Sequence, residues 1–555
     1  MKVTKIFTIA AVALGATLAL SGCIRETFPK ESAITEDQLM GGQMDVVAEN
    51  LLKGIPAGML SPALSGWEHT DFGFHSVGCY NDHASQLICT NGWLLGNATA
   101  YNRFYLGAWG MAYGPQSVMG QHVWYNYYPQ IKSCNDVIAL TAEDEDLAAY
   151  GAIARTYRAM YYIDLARMFE CLYADAPKNS NYESGYIAVQ GLTVPIVDET
   201  LDEQGAKNNP RATREEMFKF IFSDLAIAEE ALANYTPQAT TDPTLAVVYG
   251  LYARAYMWLG GFEDGLSGEL PEGNEAYAKA AEYARKAITA CGGAIMNENE
   301  WTNPVTGFNT KASSWMWYLT HSTDTVPGNL HQFTAHMSPE AAYGYCPLTC
   351  PGVGSKYFDR LSNTDFRKRL IKGPETTFEE FAPYTLITDA DEFNAFAPYT
   401  FFKFRPGQGQ RTDYIIAAAI DMPLMRCEEM YFIEMEAVTH TQGTDAGWAL
   451  LTQFMVNRDP QYICPTSDIV DEIIFQKSIE FWGEGIIMYD LKRLDKGVQT
   501  GYKGTNYDPN RRFNTTGRVP WWTYCIPQGE TQLNQAIDKN NPDPSQSIEV
   551  VQVQE

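Results

Sequence analysis

The amino-acid sequence predicts a mainly α-helical protein, a tetratricopeptide-like scaffold of helical repeats with a large irregular α+β insertion that carries loops and short strands. Three observations predict this fold class. Apolar residues recur every three to four positions over long stretches. Two Ala-rich segments with small contact residues follow one another as a helix pair. Residues 294–420 then lose the helical period and interleave Pro, Gly, Asn and aromatic residues.

The helical spacing of apolar residues defines the individual elements. Thr213 and Glu216 have the Ser/Thr-x-x-Glu spacing of a capping box, which marks the start of a helix. Leu192–Val197 is instead apolar and β-branched, which indicates a strand. The pair of segments 245–260 and 276–290 has the contact pattern of a tetratricopeptide repeat. The predicted helices cover residues 124–138, 147–168, 213–232, 245–260, 276–290, 425–438, 447–456 and 468–482.

Composition indicates a large folded protein and excludes several other classes. The chain has 555 residues, of which 45% are hydrophobic and 19% charged, enough apolar content for a sizeable core. Its 40 basic and 67 acidic residues give a net charge of −27, so we expect no binding to nucleic acid. After residue 22 no apolar run reaches the roughly 18 residues that a membrane span requires. The 12 Trp, 33 Tyr and 26 Phe indicate a contact surface in addition to a core.

The N-terminus has the pattern of a secretory signal that ends at a lipidation site. Lys2 and Lys5 precede the apolar run 6–20, and small residues follow. The Leu-Ser-Gly-Cys at 20–23 resembles the bacterial lipobox, in which the cysteine is acylated and becomes the new N-terminus. We therefore expect a signal peptide over residues 1–22 and an acylated Cys23, since several acyl chains at one residue give stable anchoring. An ordinary secreted protein with an incidental cysteine is the alternative.

The remainder of the chain is predicted to be a polar tether and one domain. The lipidated tether covers residues 23–38 and the domain residues 39–555. Within the domain, helical repeats over about 120–292 and 421–496 flank the loop-rich insertion at about 294–420. The last segment, from residue 497, is irregular.

Ten cysteines follow Cys23. Several, such as Cys134 and Cys427, lie in helical apolar stripes, so we expect mostly free thiols although export permits disulfides. Cys346 and Cys350 lack the spacing of a zinc knuckle, and the chain has only eight His. We expect no zinc site and no cofactor, and no motif supports the alternative of a structural calcium ion.

Seven segments in order along the chain resemble the SusD/RagB family of surface glycan-binding lipoproteins. The resemblance includes an Arg-Ala-aromatic-aromatic motif that begins at Arg158, and a Glu-Phe-Trp-Gly-Glu-Gly motif that begins at Glu480. The chain departs from the family pattern in two places: Ile487 replaces the usual Arg, and Gln-Lys-Ser at 476–478 replaces a basic run. The segments are Trp124–Ile138, Arg158–Phe169, Arg211–Leu225, Ala253–Leu259, Arg426–Ala437, Glu480–Arg493 and Ile526–Pro542.

The resemblance implies an outer-membrane lipoprotein, anchored at Cys23 and facing the cell exterior. Such a protein captures oligosaccharides and delivers them to a SusC-like TonB-dependent transporter. The single acidic residue in the Ile-Arg-Glu after Cys23 is a weak version of the acidic run that often marks surface export.

The first candidate glycan site is an aromatic-rich region near the N-terminus. Of the 62 residues from Trp67 to Tyr128, 14 are aromatic, against 13% for the whole chain. A sugar offers apolar C–H faces between hydroxyl groups, so its site needs aromatic rings flanked by hydrogen-bonding side chains. Rings beside glycines in polar loops are the best candidates, with nearby polar partners. The predicted ligand-binding residues of this region are Trp67, Trp93, Tyr101, Trp109, Asn97 and Arg103.

The second candidate is the run Ser-Trp-Met-Trp-Tyr at 314–318. On a strand, Trp315 and Trp317 share one face, which would then be unusually aromatic. In the family, an aromatic arc is built from the early loop and this later insertion, which here pairs Trp93 or Trp109 with one of these two tryptophans. The alternative is a buried strand beneath the insertion.

We do not expect an enzyme. The sequence has no His-Glu-x-x-His, no Gly-x-Ser-x-Gly and no Walker loop. A glycoside hydrolase needs only two carboxylates at a suitable distance, so it stays the less favoured alternative. The adjacent Glu428 and Glu429 are a poor pair because neighbours in a helix point in different directions. A helical scaffold that binds a protein or peptide is the remaining alternative.

Overall fold

A computed structural model describes residues 44–63, 71–90, 114–173, 180–328, 330–544, 551 and 553, with no side-chain description for 180–184. The chain forms two compact units, residues 1–50 and 51–555. Of the first unit, only residues 44–50 are described, and they are helical. Apart from the first residues of the helix Met44–Met59, everything below concerns the second unit.

Long helices dominate the described residues. None of the helices in these residues is both long and apolar enough to cross a membrane. The helices of ten or more residues are α1 (Met44–Met59), α2 (Phe74–Ala84), α3 (Val118–Thr141), α4 (Ala148–Phe169), α5 (Ser180–Val189), α6 (Arg214–Ala231), α7 (Leu245–Gly260), α8 (Gly273–Ala290), α9 (Cys427–Gln442), α10 (Thr444–Met455) and α11 (Ile469–Glu480).

Local sequence explains where several helices begin. The Ser117 hydroxyl accepts a hydrogen bond from the Gly120 amide at the start of α3. Thr213 and Glu216 form the predicted capping box at the start of α6. Asp468 caps α11 through the Asp471 amide. These side chains satisfy amide groups that the first turn of a helix leaves without intrahelical partners.

The long helices pack in sequence, and this packing continues across the insertion. The pairs α3–α4, α4–α6, α6–α7 and α7–α8 are in contact, followed by α8–α9, α9–α10 and α9–α11. Because α8 packs on α9, the helical scaffold is continuous although residues 294–420 separate the two helices in the chain. The predicted fold class, helical repeats with an irregular insertion, is confirmed.

The insertion and the tail contain short elements. Antiparallel strands β2 (Trp315–Thr320) and β4 (Asp421–Arg426) pair from Trp315 opposite Arg426 to Thr320 opposite Asp421. A smaller antiparallel pair joins β1 (Cys89–Thr90) to β3 (Pro351–Gly352). The shorter helices are Glu203–Ala206, Glu298–Thr302, Phe333–Met337, Cys346–Thr349, Ser355–Arg360, Phe378–Phe381, Ala390–Ala395, Tyr414–Ala418, Ile487–Arg493 and Gln528–Leu533, with 3₁₀ turns at Glu145–Leu147, Phe366–Leu370, Ala382–Tyr384, Gly407–Gly409, Pro509–Arg511 and Pro520–Trp522.

The strand predicted over Leu192–Val197 is wrong. The segment is extended, but it makes only an isolated bridge, Leu192 opposite Thr213. Pro195 has no amide hydrogen to donate to a ladder, and its carbonyl accepts from the Tyr128 hydroxyl at 2.8 Å. Thr193 and Val194 bond the backbone of Ala212, and beyond this short contact side chains of the flanking helices bond the segment.

Candidate ligand-binding site

Six of the eight predicted ligand-binding residues lie outside the described residues. They fall in segments 64–70 and 91–113, so their role stays a prediction. They are Trp67, Trp93, Asn97, Tyr101, Arg103 and Trp109.

The other two, Trp315 and Trp317, are core residues, so their assignment to a ligand surface is corrected. They alternate with less buried neighbours along β2, as a strand requires, but they are only 4% and 0% exposed. The indole of Trp317 donates to the Thr241 carbonyl at 2.7 Å and lies 4.6 Å from the ring of Tyr157. The shared aromatic face therefore points into the protein, where α4 and α7 cover it.

A cavity of about 530 Å³ lies among five segments of the second unit. They are α11, the short helices Ser355–Arg360 and Ile487–Arg493, the tail segment 496–507, and the two residues Ser85 and Gln86 that follow α2. These segments are far apart in sequence, so only the tertiary structure brings them together.

One face of α11 forms a wall of the cavity. Asp471, Ile474, Phe475 and Ser478 all line it, at the i, i+3, i+4, i+7 spacing of a single helical face. The other side of α11 faces the core, where residues such as Ile473 and Ile479 are fully buried. A scaffold helix thus supplies a rigid wall.

Aromatic rings are held in place around the cavity. The rings of Tyr357 and Phe475 stack with centroids 5.8 Å apart and an angle of 19°. The Arg360 guanidinium carbon lies 4.0 Å from the centroid of the Phe475 ring. The buried Tyr507 hydroxyl donates to the Gln86 carbonyl at 2.6 Å.

Tyr502 is the half-buried ring of the tail segment. Its hydroxyl accepts from the Lys356 amide at 3.2 Å and shares a 3.0 Å hydrogen bond with the Ser355 hydroxyl. The Lys356 ammonium lies 4.0 Å from the ring centroid. Asn506 reinforces the junction, because its side chain accepts from the Ser355 amide at 2.7 Å. The ring therefore has a defined position although it lies in a segment without regular structure.

Charged groups are distributed along the same walls. Arg360 pairs with Glu472, which also accepts from the Tyr462 hydroxyl at 2.9 Å. Lys496 pairs with Asp471. The cavity thus combines cations, a carboxylate and aromatic rings in one recess.

The tyrosine hydroxyls act as neutral hydrogen-bonding groups. Burial raises the pKa of Tyr357 above its ordinary value, and it raises the pKa of Tyr507 as well. Both phenols are therefore protonated at neutral pH. In the part of the chain that the structure describes, no group of three or more His, Cys, Asp or Glu side chains could hold a metal ion. The arrangement is suited to holding a ligand that has apolar faces and hydroxyl groups.

Sequence reasoning missed this cavity, although one signal was present. Tyr502 stands between Gly501 and the Lys503-Gly504 pair, and this is the same pattern that selected Trp67 and Trp93. The tail has no helical or strand period, so no regular pattern distinguishes Tyr502 from the other aromatic residues of the tail. Sequence reasoning also missed the face of α11 that lines the cavity, because most of its residues are buried and its period is that of the core face.

The aromatic run at 521–524 is part of the core. Trp521, Trp522 and Tyr524 are at most 1% exposed. Both indole N–H groups donate to the Ala84 carbonyl at 3.0 Å. These rings therefore belong to the packing of the core.

Comparison with known proteins gives structural neighbours only. No family model matches the chain, and no curated protein matches it significantly. A Bacteroides vulgatus structure described as a SusD-like carbohydrate binding protein superimposes with a TM-score of 0.65 and 18% identity. The superposition covers 89% of this chain and 97% of the chain of that structure.

Two further solved structures show the same likeness. A SusD superfamily protein from Bacteroides thetaiotaomicron has a TM-score of 0.63 and 17% identity, covering 90% of this chain and 99% of its own. Another from Parabacteroides distasonis has a TM-score of 0.63 and 16% identity, covering 90% and 98%. At these identities the likeness establishes the fold, which is the one that the sequence motifs predicted.

Proposed function

We propose that this chain, which has the SusD-like fold, is a cell-surface protein that binds glycans and makes no change to their bonds. The observation that carries the proposal is the extent of the fold match. It covers nearly all of a neighbour that is described as a carbohydrate binding protein, and 89% of this chain. A fold by itself does not specify a ligand, so the chemistry of a site must support the assignment.

The cavity supports glycan binding on physical grounds. Sugar rings present apolar C–H faces between hydroxyl groups, so they bind where aromatic rings and hydrogen-bonding groups converge. Tyr502 supplies a half-buried ring, and the exposed side chains of Lys356, Asp471 and Gln499 supply polar groups beside it. The volume of about 530 Å³ is within the roughly 300–1,000 Å³ that small-molecule sites occupy.

The proposal also includes, on sequence grounds, the residues predicted in the early loops. Most of them lie in segment 91–113, outside the described residues. We assign Trp93, Tyr101 and Trp109 of that segment, together with Asn97 and Arg103, to glycan contact, and Trp67 likewise. Their loop positions beside glycines are the basis of this assignment.

The cellular role that we propose follows from the N-terminus and the family resemblance. The lipobox-like sequence before Cys23 supports anchoring to the outer membrane, with the protein facing the exterior. Captured oligosaccharides then pass to a SusC-like TonB-dependent transporter. Replacement of Cys23 by Ser is expected to shift the protein from the detergent phase to the aqueous phase in Triton X-114 partition, and retention in the detergent phase would contradict the anchor.

Affinity electrophoresis in gels that contain one polysaccharide each tests the binding function. We expect at least one polysaccharide of a panel, neutral or anionic, to retard the mature protein. Tyr502→Ala is expected to reduce this retardation at least threefold with little change in Tm, because its ring is only half buried. Trp448→Ala is the matched control, since Trp448 is 47% exposed on α10 and does not line the cavity.

The outcomes of these binding experiments distinguish glycan binding from the alternative functions. Loss of retardation in Trp93→Ala but not in Tyr502→Ala would leave glycan binding in place and move it from the cavity to the loops. Release of reducing ends from the polysaccharide would favour a glycoside hydrolase. Migration that no polysaccharide of the panel alters would contradict the proposed function and favour a helical scaffold for a protein ligand.

A further inference from the structure

Two cysteines meet where the scaffold continues across the insertion. Cys291 caps the C-terminal end of α8, and Cys427 is the first residue of α9. Their sulfur atoms are 3.2 Å apart. Because α8 and α9 pack directly on one another, helix packing rather than a mobile loop holds the two residues together.

The two thiols differ in their accessibility. Cys291 is half-buried, so a reagent in solution can reach it, whereas Cys427 is completely buried. A hydrogen bond joins their sulfur atoms, and when Cys291 ionises, the Cys427 thiol can donate to the thiolate. This interaction lowers the pKa of Cys291 to about 7, so a substantial fraction of this thiol is the reactive thiolate at neutral pH.

Most of the other described cysteines lack these properties. Burial raises the pKa of Cys79, Cys134, Cys346 and Cys525 above the ordinary value, which keeps these thiols protonated and unreactive. Cys464 is half-buried as well, but the contact of its thiol is with the Thr466 carbonyl at 3.2 Å and not with a second sulfur. Accessibility, ionisation and an adjacent second sulfur therefore coincide at Cys291.

We propose that Cys291 and Cys427 form a disulfide cross-link when the protein meets a disulfide oxidant, such as oxidised glutathione or the disulfide of an oxidising protein. The Cys291 thiolate attacks one sulfur of the oxidant, forming a mixed disulfide and releasing the other sulfur as a thiolate. Cys427 then attacks the Cys291 sulfur and passes its proton to the sulfur that it displaces, which leaves as a thiol. Two protein thiols are oxidised, and one disulfide of the oxidant is reduced to two thiols.

The cross-link would join the two ends of the insertion covalently. The chain leaves the scaffold after α8 and returns at α9, so the bond closes a loop that contains residues 292–426, including the short helix Ser355–Arg360 at the cavity. Closing a long loop restricts the unfolded chain and stabilises the folded state. Helix α9 and the helix pair before it would then be covalently joined.

Mass spectrometry of the full mature protein tests the proposal. The protein is treated with oxidised glutathione, alkylated under denaturing and non-reducing conditions, and digested. We expect a peptide pair that joins Cys291 to Cys427 and an intact mass lower by two hydrogen atoms than the reduced form. Reduction is expected to lower Tm by at least about 2 °C.

Two variants make the result specific. Cys291→Ser is expected to abolish the linked peptide and the effect of reduction on Tm. Because Cys291 is only half-buried, we expect this variant to fold. Cys464→Ser, the control at the other half-buried cysteine, is expected to retain both. Full alkylation of Cys291 and Cys427 after oxidation would overturn the proposal, as would glutathione held on Cys291 without an internal link.

Discussion

The two ends of α11 carry the same kind of ion pair in different surroundings. Glu472, near the start of the helix, is buried, but its partner Arg360 has a side chain that is 36% exposed beside the cavity. Glu480, at the end of the helix, lies wholly in the core. It receives three fully buried guanidinium groups, those of Arg367, Arg426 and Arg458.

The buried end holds the architecture together. Arg367 lies in the insertion, Arg426 ends β4 and Arg458 follows α10, so Glu480 connects three separate segments to α11. Burial by itself raises the pKa of Glu480, but Arg458, Arg426 and Arg367 lower it well below its usual range. The carboxylate is therefore ionised whenever the protein is folded near neutral pH.

At the end of α11 beside the cavity, the Arg360 guanidinium can exchange its carboxylate partner for a ligand. A guanidinium group that is partly in water loses little when it moves from a protein carboxylate to a ligand. The difference between the two ends teaches that burial, rather than residue type, separates a structural ion pair from one that is available for binding. The following predictions test this comparison.

The largest difference is expected between Arg458→Ala and Arg360→Ala. Loss of Arg458 leaves Glu480 and Glu428 with fewer counter-charges in the core, so the free energy of unfolding is expected to fall by about 3–5 kcal/mol. Loss of Arg360 is expected to cost about 1 kcal/mol or less, because Glu472 keeps hydrogen bonds from Tyr462 and Gln476. Urea unfolding measures the free energy of unfolding of both variants. Equal losses in the two variants would contradict the difference between the two ends of α11.

A second contrast concerns aromatic rings in the core and at the cavity. Trp317→Ala removes a fully buried indole and is expected to destabilise the protein by about 3–5 kcal/mol. Tyr502→Ala is expected to cost about 1 kcal/mol, since its ring is half buried. Thermal and urea unfolding of the two variants provide the measurement. A small loss in Trp317→Ala would return this residue to the list of surface candidates.

The smallest expected effect depends on pH and concerns Asp82, beside the buried end of α11. Its carboxylate accepts hydrogen bonds from the amides of Gly483 at 2.7 Å and Gly485 at 3.2 Å. Burial raises the pKa of Asp82 to about 7, a shift that these amides and Lys403 oppose and Glu484 reinforces. Since the folded-state pKa exceeds the unfolded value, the stabilisation is complete below about pH 4 and is lost as pH rises through about 7.

Asp82→Asn removes this titration. Between pH 5 and pH 8 the variant is expected to gain about 2–3 kcal/mol of stability relative to the unchanged protein. Urea unfolding at the two pH values measures the difference. Asp445→Asn, at the exposed start of α10, controls for the change in charge. If the variant and the unchanged protein differ in stability by the same amount at both pH values, the raised pKa of the Asp82 carboxyl is contradicted.

Much of the scaffold could be predicted from the sequence because its signals are local. The capping box at Thr213 and the helical spacing of α4, α7 and α8 each involve neighbours within a few positions. The family motifs even began at Arg426 and Glu480, two members of the buried ion cluster. The motifs did not reveal that these side chains meet, because the residues are 54 positions apart.

The sequence by itself determined the helices, the strand alternation at Trp315 and Trp317, and the fold that their order produces. These depend on backbone periodicity and short-range hydrogen bonds. Only the tertiary structure decided which aromatic face is covered, and that α11, the Ser355–Arg360 helix and the tail enclose a cavity. Burial results from contacts between distant segments, and the local pattern of a strand or helix is the same whether its apolar face meets a core or a ligand.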